Sequence, residues 1–306
     1  TGWRALARPC LELQATLRRS YTLRAGKRQL DLSSPVCMGI LNITPDSFSD
    51  GAELASAKSA SFQFDRDKVR RRAHEMVAAG AQILDVGGES TRPGAAAVPL
   101  DEELARTIPV LELLRAEFDV LLSIDTSSSE VMQAALVAGA DLVNDIRALN
   151  NDGTLAVAAE GSNPPAVCLM HMQGHPRTMQ QTYAYEDVVS EVVAFLQRRI
   201  AHCEAGGVAR DRIIVDPGFG FGKSVAHNYA LLRHLPALQQ LDLPVLVGIS
   251  RKSMIGAATG RPVGRRLAGS IAATALALQA GAHVVRTHDV EATVDAIRVY
   301  KACAEA

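Results

Sequence analysis

From residue 36 onward the chain alternates short apolar runs with longer amphipathic segments, and each apolar run ends on polar side chains. The runs 36–41, 82–86, 120–124, 142–143, 167–170, 213–215, 245–249 and 283–285 have the length and continuity of buried strands. Their tips carry Asn42, Gly87-Gly-Glu-Ser-Thr-Arg92, Asp125, Asn144-Asp145, His171, Asp216, Ser250-Arg-Lys-Ser253 and Arg286-Thr-His288. The intervening segments 67–79, 100–117, 129–138, 154–160, 187–204, 228–235 and 265–280 read as helices, and 290–304 is a further one after the last strand. Ala79-Gly-Ala81, Ala138-Gly-Ala140 and Ala280-Gly-Ala282 put glycine where helix C-caps want it, and Asp125-Thr-Ser-Ser-Ser129 supplies an N-cap. Strictly alternating strands and helices imply parallel pairing and the α/β class. Eight such units predict a closed (β/α)8 TIM barrel over an open doubly wound sheet, and either architecture gathers the polar tips on the ligand-binding face.

Residues 1–34 break this rhythm. A short helix is expected over 11–17, and two alternating stretches flanking Ala25-Gly26-Lys27 predict a hairpin. This extension is expected to pack on the barrel without chemistry of its own, leaving 35–306 as one barrel domain. The longest predicted loop, about 44–64, is rich in glycine, serine and alanine and is expected to close over a site.

Composition narrows the partners. Among 306 residues 48% are hydrophobic and 21% charged, with a formal net charge of -1, so nothing draws the whole chain to nucleic acid or an anionic membrane. No apolar stretch is long enough to cross a bilayer. The five cysteines are scattered without C-x-x-C spacing, which fits a reduced, cytoplasmic protein without structural zinc.

The strand tips offer two sets of candidate chemistry. In Asp216-Pro-Gly-Phe-Gly-Phe-Gly-Lys223 an apolar run ends on a carboxylate, and three glycines follow that let backbone approach a ligand. Asp125, Asn144, Asp216 and Lys252 would converge in a barrel mouth as a planar hydrogen-bonding pocket suited to a heterocycle with amino and ring N–H groups on one edge. A divalent-metal site is the rival, disfavoured by the lysine, and plain mouth salt bridges are the structural alternative. The second set is basic: Arg92, Arg286 and His288, with Asn42 and Thr91 nearby, could hold phosphate. Arg286 and His288 alternate, so they share a face. A diphosphate normally brings Mg2+, for which Asn42 is a reasonable ligand. Phe48 could cover an aromatic substrate. His171 reads as a polar contact without catalytic duty, and Tyr183 and Tyr185 as loop packing. No G-x-S-x-G elbow, P-loop or H-E-x-x-H is present.

In their order these residues resemble a known family. Met38-Gly-Ile-Leu-Asn-Ile-Thr-Pro-Asp-Ser-Phe-Ser-Asp-Gly51 and Gly87-Gly-Glu-Ser-Thr-Arg-Pro-Gly94 resemble the two signatures of the dihydropteroate synthases. Ser123-Ile-Asp-Thr126, Val143-Asn-Asp145, Asp216-Pro-Gly-Phe-Gly-Phe-Gly-Lys223, Ser250-Arg-Lys-Ser253 and Arg286-Thr-His-Asp-Val290 follow in sequence. The resemblance implies a (β/α)8 pterin-binding barrel that joins 6-hydroxymethyl-7,8-dihydropterin diphosphate to p-aminobenzoate, releasing diphosphate. It also implies roles: Asp125, Asn144, Asp216 and Lys252 for the pterin, and Asn42, Arg286 and His288 for the diphosphate. Mg2+ would sit with Asn42 and Asp50, and Thr91, Arg92, Phe48 and Ser253 would shape the aminobenzoate site. Arg286, His288 and Lys252 would be the catalytic residues, and a homodimer is expected. A methyltetrahydrofolate:corrinoid methyltransferase would share the Asp/Asn pocket but lack the Thr-Pro-Asp-Ser-Phe loop and the basic cluster. A catalytically silent paralogue would be expected to lose Lys252 or Arg286. Where the family commonly has two glycines after Ser-Phe-Ser-Asp, this chain has Gly51-Ala52, and the segment that follows is long.

Overall fold

The computed structural model describes residues 19–43, 64–89, 98–174, 179 and 183–306. The helix expected over 11–17 and nearly all of the 44–64 loop lie outside them. Strands β1 (Thr22–Ala25) and β2 (Arg28–Asp31) form the antiparallel hairpin expected around Gly26, with Thr22 opposite Asp31. Eight parallel strands follow: β3 (Val36–Asn42), β4 (Ile83–Gly87), β5 (Leu121–Asp125), β6 (Leu142–Asp145), β7 (Ala166–Met170), β8 (Ile213–Asp216), β9 (Leu246–Val247) and β10 (Val284–Thr287). Each lies beside its neighbour in sequence, β10 returns to β3, and a parallel bridge from Val215 to Val245 closes the ring. The helices α1 (Arg66–Ala79), α2 (Leu100–Glu117), α3 (Ser129–Val137), α4 (Thr154–Ala159), α5 (Val188–Ala205), α6 (Val225–Arg233), α7 (Ser253–Thr259), α8 (Leu267–Gln279) and α9 (Val290–Glu305) fill the crossovers and the C-terminus. This is the (β/α)8 barrel that the alternation predicts.

Period-2 alternation divides each strand between two cores. The residues between the strands and the outer helices, such as Leu84, Val86, Leu122, Ile124, Val143 and Val215, form the larger one. The alternate residues Val36, Met38, Ile83, Leu121, Leu142, Ala166, Ile214, Leu246 and Val284 point inward and meet Leu23, Ala25, Leu30 and Leu32 of the hairpin and the segment after it. The extension therefore plugs the barrel floor with apolar side chains. With the bottom sealed, the polar inward residues at the opposite strand ends have only the mouth to face.

Two elements differ from expectation. The strand expected over 245–249 pairs only at Leu246 and Val247, because the chain leaves the ladder at Gly248 to enter the Ser250-Arg-Lys-Ser253 turn. The helix α7 was not legible: it has seven residues with Gly256 at its centre, too short for a hydrophobic stripe to repeat.

Candidate active site

Register builds the mouth. Asn42 pairs with Gly87, Gly87 with Asp125, and Asp125 with Asn144, so the inward tips of four consecutive strands stand in one row. One turn of the pleat deeper, Asp85 pairs with Ser123. Arg286 reaches over β3 into this cluster. Its Nε donates to Asp85 Oδ2 at 2.6 Å and its Nη2 to Asp125 Oδ2 at 2.6 Å. Ser123 Oγ and Asn144 Nδ2 also donate to Asp85, at 2.5 and 3.3 Å. The Arg286 guanidinium of the basic set thus sits against Asp125 of the carboxylate set and links the two.

Burial sets the electrostatics. Loss of water pushes the Asp125 carboxyl up to about 7 against the pull of Arg286. Asp216 is pushed up for the same reason, with Lys252 and the Gly218 N–H opposing. Burial pushes the Lys252 ammonium down to about 8, with Asp216 pulling the other way. Burial also works against the Arg286 charge, but Asp85 and Asp125 together hold it above its usual range.

On the far side of the mouth, Asp216 is 6% exposed and ends β8. The Gly218 N–H donates to Asp216 Oδ1 at 2.7 Å, and Gly220 N–H donates to Asn228 Oδ1 of α6 at 2.7 Å. Gly218 is obligatory here: its φ is +70°, and a Cβ would lie 1.9 Å from the His171 carbonyl oxygen. Lys252 Nζ donates to the Phe219 carbonyl and stands 4.7 Å from the centre of the Phe221 ring. The residue before it, Arg251, has a φ of 58°. That left-handed conformation costs a non-glycine residue about 1–2 kcal/mol. Ser270 Oγ accepts from the Arg251 N–H at 2.9 Å, and the Arg251 guanidinium forms a two-pronged pair with Asp289, one arm at 2.9 Å.

The remaining predicted residues stand at the rim or beyond the described residues. Asn42 is half-buried at the end of β3, its Oδ1 beside Gly87 of the neighbouring strand. Ser253 is exposed as the first residue of α7. His288 follows β10, with Nδ1 3.3 Å from Ser250 Oγ and its carbonyl accepting from Arg72 at 2.9 Å. It lines a cavity of about 330 Å3 with Arg72 and Glu75 of α1. Phe48, Asp50, Thr91 and Arg92 lie outside the described residues.

Three site residues were missed. Asp85, fully buried, was hidden inside an apolar run, although its spacing two before Gly87 puts it on the inward face. Lys223 stands in the sequence as no more than the last residue of a glycine-rich motif. Glu103 of α2 accepts from Thr126 Oγ1 at 2.6 Å and so braces the residue after Asp125; nothing in the amphipathic pattern of α2 marked it.

Residues 38–288 match the family of pterin binding enzymes. The dihydropteroate synthase of Escherichia coli K12 is 50% identical over 273 residues, which are 89% of this chain and 93% of that protein. The chain belongs to the dihydropteroate synthase family. Solved dihydropteroate synthases carry the same barrel: that of Xanthomonas albilineans with 4-aminobenzoic acid superposes with a TM-score of 0.84 at 47% identity, covering 93% of this chain and 98% of that one. The Burkholderia cenocepacia enzyme complexed with 7,8-dihydropteroate gives 0.81 at 47% identity, covering 92% and 96%. As a dihydropteroate synthase the chain is a transferase, and among its described residues no helix is long and apolar enough to cross a membrane.

Proposed function

We propose that the Asp85–Arg286–Asp125 cluster and the Asp216–Lys252 wall form the centre at which this member of the dihydropteroate synthases joins 6-hydroxymethyl-7,8-dihydropterin diphosphate to p-aminobenzoate. The observation that carries this reading is the single guanidinium held by two buried carboxylates beside a row of inward-facing Asn and Asp tips. Asp125, Asn144 and Asp216 accept the amino and ring N–H groups of the pterin edge, and Lys252 balances Asp216. Phe221 offers a flat face to the ring. Arg286, with His288 at the rim, takes the charge that collects on the departing diphosphate. The bond between the exocyclic carbon and the diphosphate oxygen breaks first, and the electron-rich dihydropterin delocalises the resulting cation. The neutral aniline nitrogen then attacks and sheds a proton to solvent, needing position more than a strong base. Ser253, with Phe48, Thr91 and Arg92, forms the aminobenzoate side.

Mg2+ belongs to this reading. Among the described residues no group of three or more His, Cys, Asp or Glu could hold a metal. Mg2+ bound through substrate phosphates keeps most of its waters, however, and needs only one or two protein oxygens. The amide oxygen of Asn42, half-buried at the end of β3, suits that demand, with Asp50 as its partner. When bound, the ion neutralises charge on the diphosphate.

Two further assignments are proposed. The helix α8 has no charged residue, and Leu267 and Leu276 stand 45% and 60% exposed beside exposed alanines. A second copy of this chain is the occupant that a self-complementary apolar face fits, giving a homodimer. Leu276→Glu is expected to convert it to a monomer in light scattering; an unchanged mass would place the dimer elsewhere or remove it. The compartment is the cytoplasm, where the free thiols Cys37, Cys168 and Cys203, buried as small hydrophobes, stay reduced.

The test of the activity is p-aminobenzoate-dependent release of diphosphate with dihydropteroate formed. Pterin binding without turnover would sink the reading. The pH profile of kcat/KM carries a sign. Asp125, raised to about 7, must be ionised to accept from the pterin, so activity rises with pH up to that point. Lys252, lowered to about 8, loses its charge above it. The expected profile is a narrow bell between about pH 7 and 8; a flat profile from 5 to 9 would contradict the buried-charge account.

A further inference from the structure

The glycine-rich turn after β8 is organised around a cation that the reaction does not use. Lys223 is 3% exposed; burial pushes its ammonium down to about 7 with the Asp216 charge opposing, and its Nζ is held by backbone carbonyls instead of by a paired carboxylate. Its Nζ lies 2.9 Å from the Gly218 oxygen, 3.0 Å from the Phe221 oxygen, 3.2 Å from the His171 oxygen and 2.9 Å from His171 Nδ1. Two of these acceptors belong to the turn itself and two to the tip of β7. Three N–H bonds distributed over four acceptors leave no donor idle, so the ammonium staples the turn to the neighbouring strand.

The staple has consequences at the site. With the Gly218 and Phe221 carbonyls drawn inward, the Gly218 N–H faces Asp216 Oδ1 at 2.7 Å, and the Phe221 ring lies under Lys252. Burial and the neighbouring Lys223 charge push His171 down to about 2, so its ring stays neutral and Nδ1 is free to accept. Tyr185 adds a hydrogen bond from its hydroxyl to the Gly222 carbonyl at 2.9 Å.

We propose that Lys223 is a positioning residue for the pterin site: its ammonium, gripped by Gly218, Phe221 and His171, sets the conformation in which Asp216 and Phe221 meet the pterin. This rests on the assignment of Asp216 to the pterin. Lys223→Met keeps the length and removes the donors, leaving inward carbonyls unsatisfied. Calorimetric titration with 6-hydroxymethyl-7,8-dihydropterin diphosphate and Mg2+ is expected to show a Kd raised about ten-fold or more. The KM for p-aminobenzoate at saturating pterin diphosphate should stay within about two-fold, because the staple touches only the pterin wall. His171→Leu, which removes the ring acceptor but keeps the carbonyl, should raise the same Kd by about three-fold. A purely structural role would lower Tm and the active fraction while leaving Kd unchanged, or raise both constants together; either result overturns the proposal. Should Lys223→Met not fold, the His171→Leu titration decides, and an unchanged Kd there also overturns it. Asp216→Asn separates the two levels. If it binds normally, the pterin assignment itself fails; if it binds poorly while Lys223→Met binds normally, only the positioning role is lost.

Discussion

Asp216→Asn is expected to weaken binding of 6-hydroxymethyl-7,8-dihydropterin diphosphate by on the order of 100-fold, about 3 kcal/mol. The substitution is nearly isosteric, so the fold around it should survive. What changes is chemistry: a carboxylate that can accept two parallel N–H bonds becomes an amide whose NH2 faces a donor on the ligand. The Lys252 ammonium also loses the charge that favours its protonated form. In a site where Asp216 is 6% exposed, water cannot make up the missing acceptor. Isothermal calorimetry measures the effect directly, and near-normal affinity would remove Asp216 from the pterin wall. The p-aminobenzoate KM is expected to change less than the pterin affinity, since Asp216 is assigned to the pterin wall and Ser253 to the aminobenzoate side.

Much of this site was legible because a parallel strand announces its own end. Asp125, Asn144 and Asp216 each follow an apolar run, and a polar group that ends a buried strand must be compensated at the strand tip. Lys252 was legible for the same reason, although its strand proved to be only Leu246–Val247. Asp85 was not legible, since a strand buried on both faces reads as one continuous hydrophobic run. That run conceals which alternate positions point into the barrel, and only the register with Ser123 and Gly87 reveals it.

Closure of the ring hid a second relation. The sequence separates Arg286 from Asp85 by 201 residues, and although eight units predict a closed ring, closure alone does not say which side chains of the last strand reach across it. From the sequence alone, Arg286 falls in the basic set and Asp125 in the carboxylate set. In the folded chain one guanidinium reaches both Asp85 and Asp125, so a residue of the basic set and a residue of the carboxylate set share one contact. The floor shows the reverse case: the hairpin was expected from its turn residues, but its role as a plug follows only once the inward residues of eight strands meet Leu23 and Leu32.

Arg286→Met is expected to damage the protein in two separable ways. The first is stability. Asp85 is fully buried and Asp125 8% exposed, so removing their shared partner leaves two carboxylates in a poorly solvated place. Breaking a buried pair from one side costs about 3–5 kcal/mol. The deficit should depend on pH. Without Arg286 to oppose burial, the Asp125 pKa rises further above its unfolded value, so the folded state binds more protons than the unfolded one. Stability from a raised carboxyl is present at low pH and lost as pH rises through the folded pKa. Denaturant melts should therefore show a smaller gap to the parent protein at pH 5 than at pH 8; the opposite trend would mean that the carboxylates find other partners. The second effect is rate. Loss of one preorganised donor to the leaving group is expected to lower kcat by about 100- to 1000-fold, measured under conditions where the variant is folded. Arg286→Lys distinguishes charge from geometry, since an ammonium restores a positive charge but not the fork that reaches Asp85 and Asp125 at once. It should recover most of the stability and little of the rate. A Lys variant with full activity would reduce Arg286 to a point charge, and a Met variant within ten-fold of the parent would exclude it from the chemistry of the diphosphate.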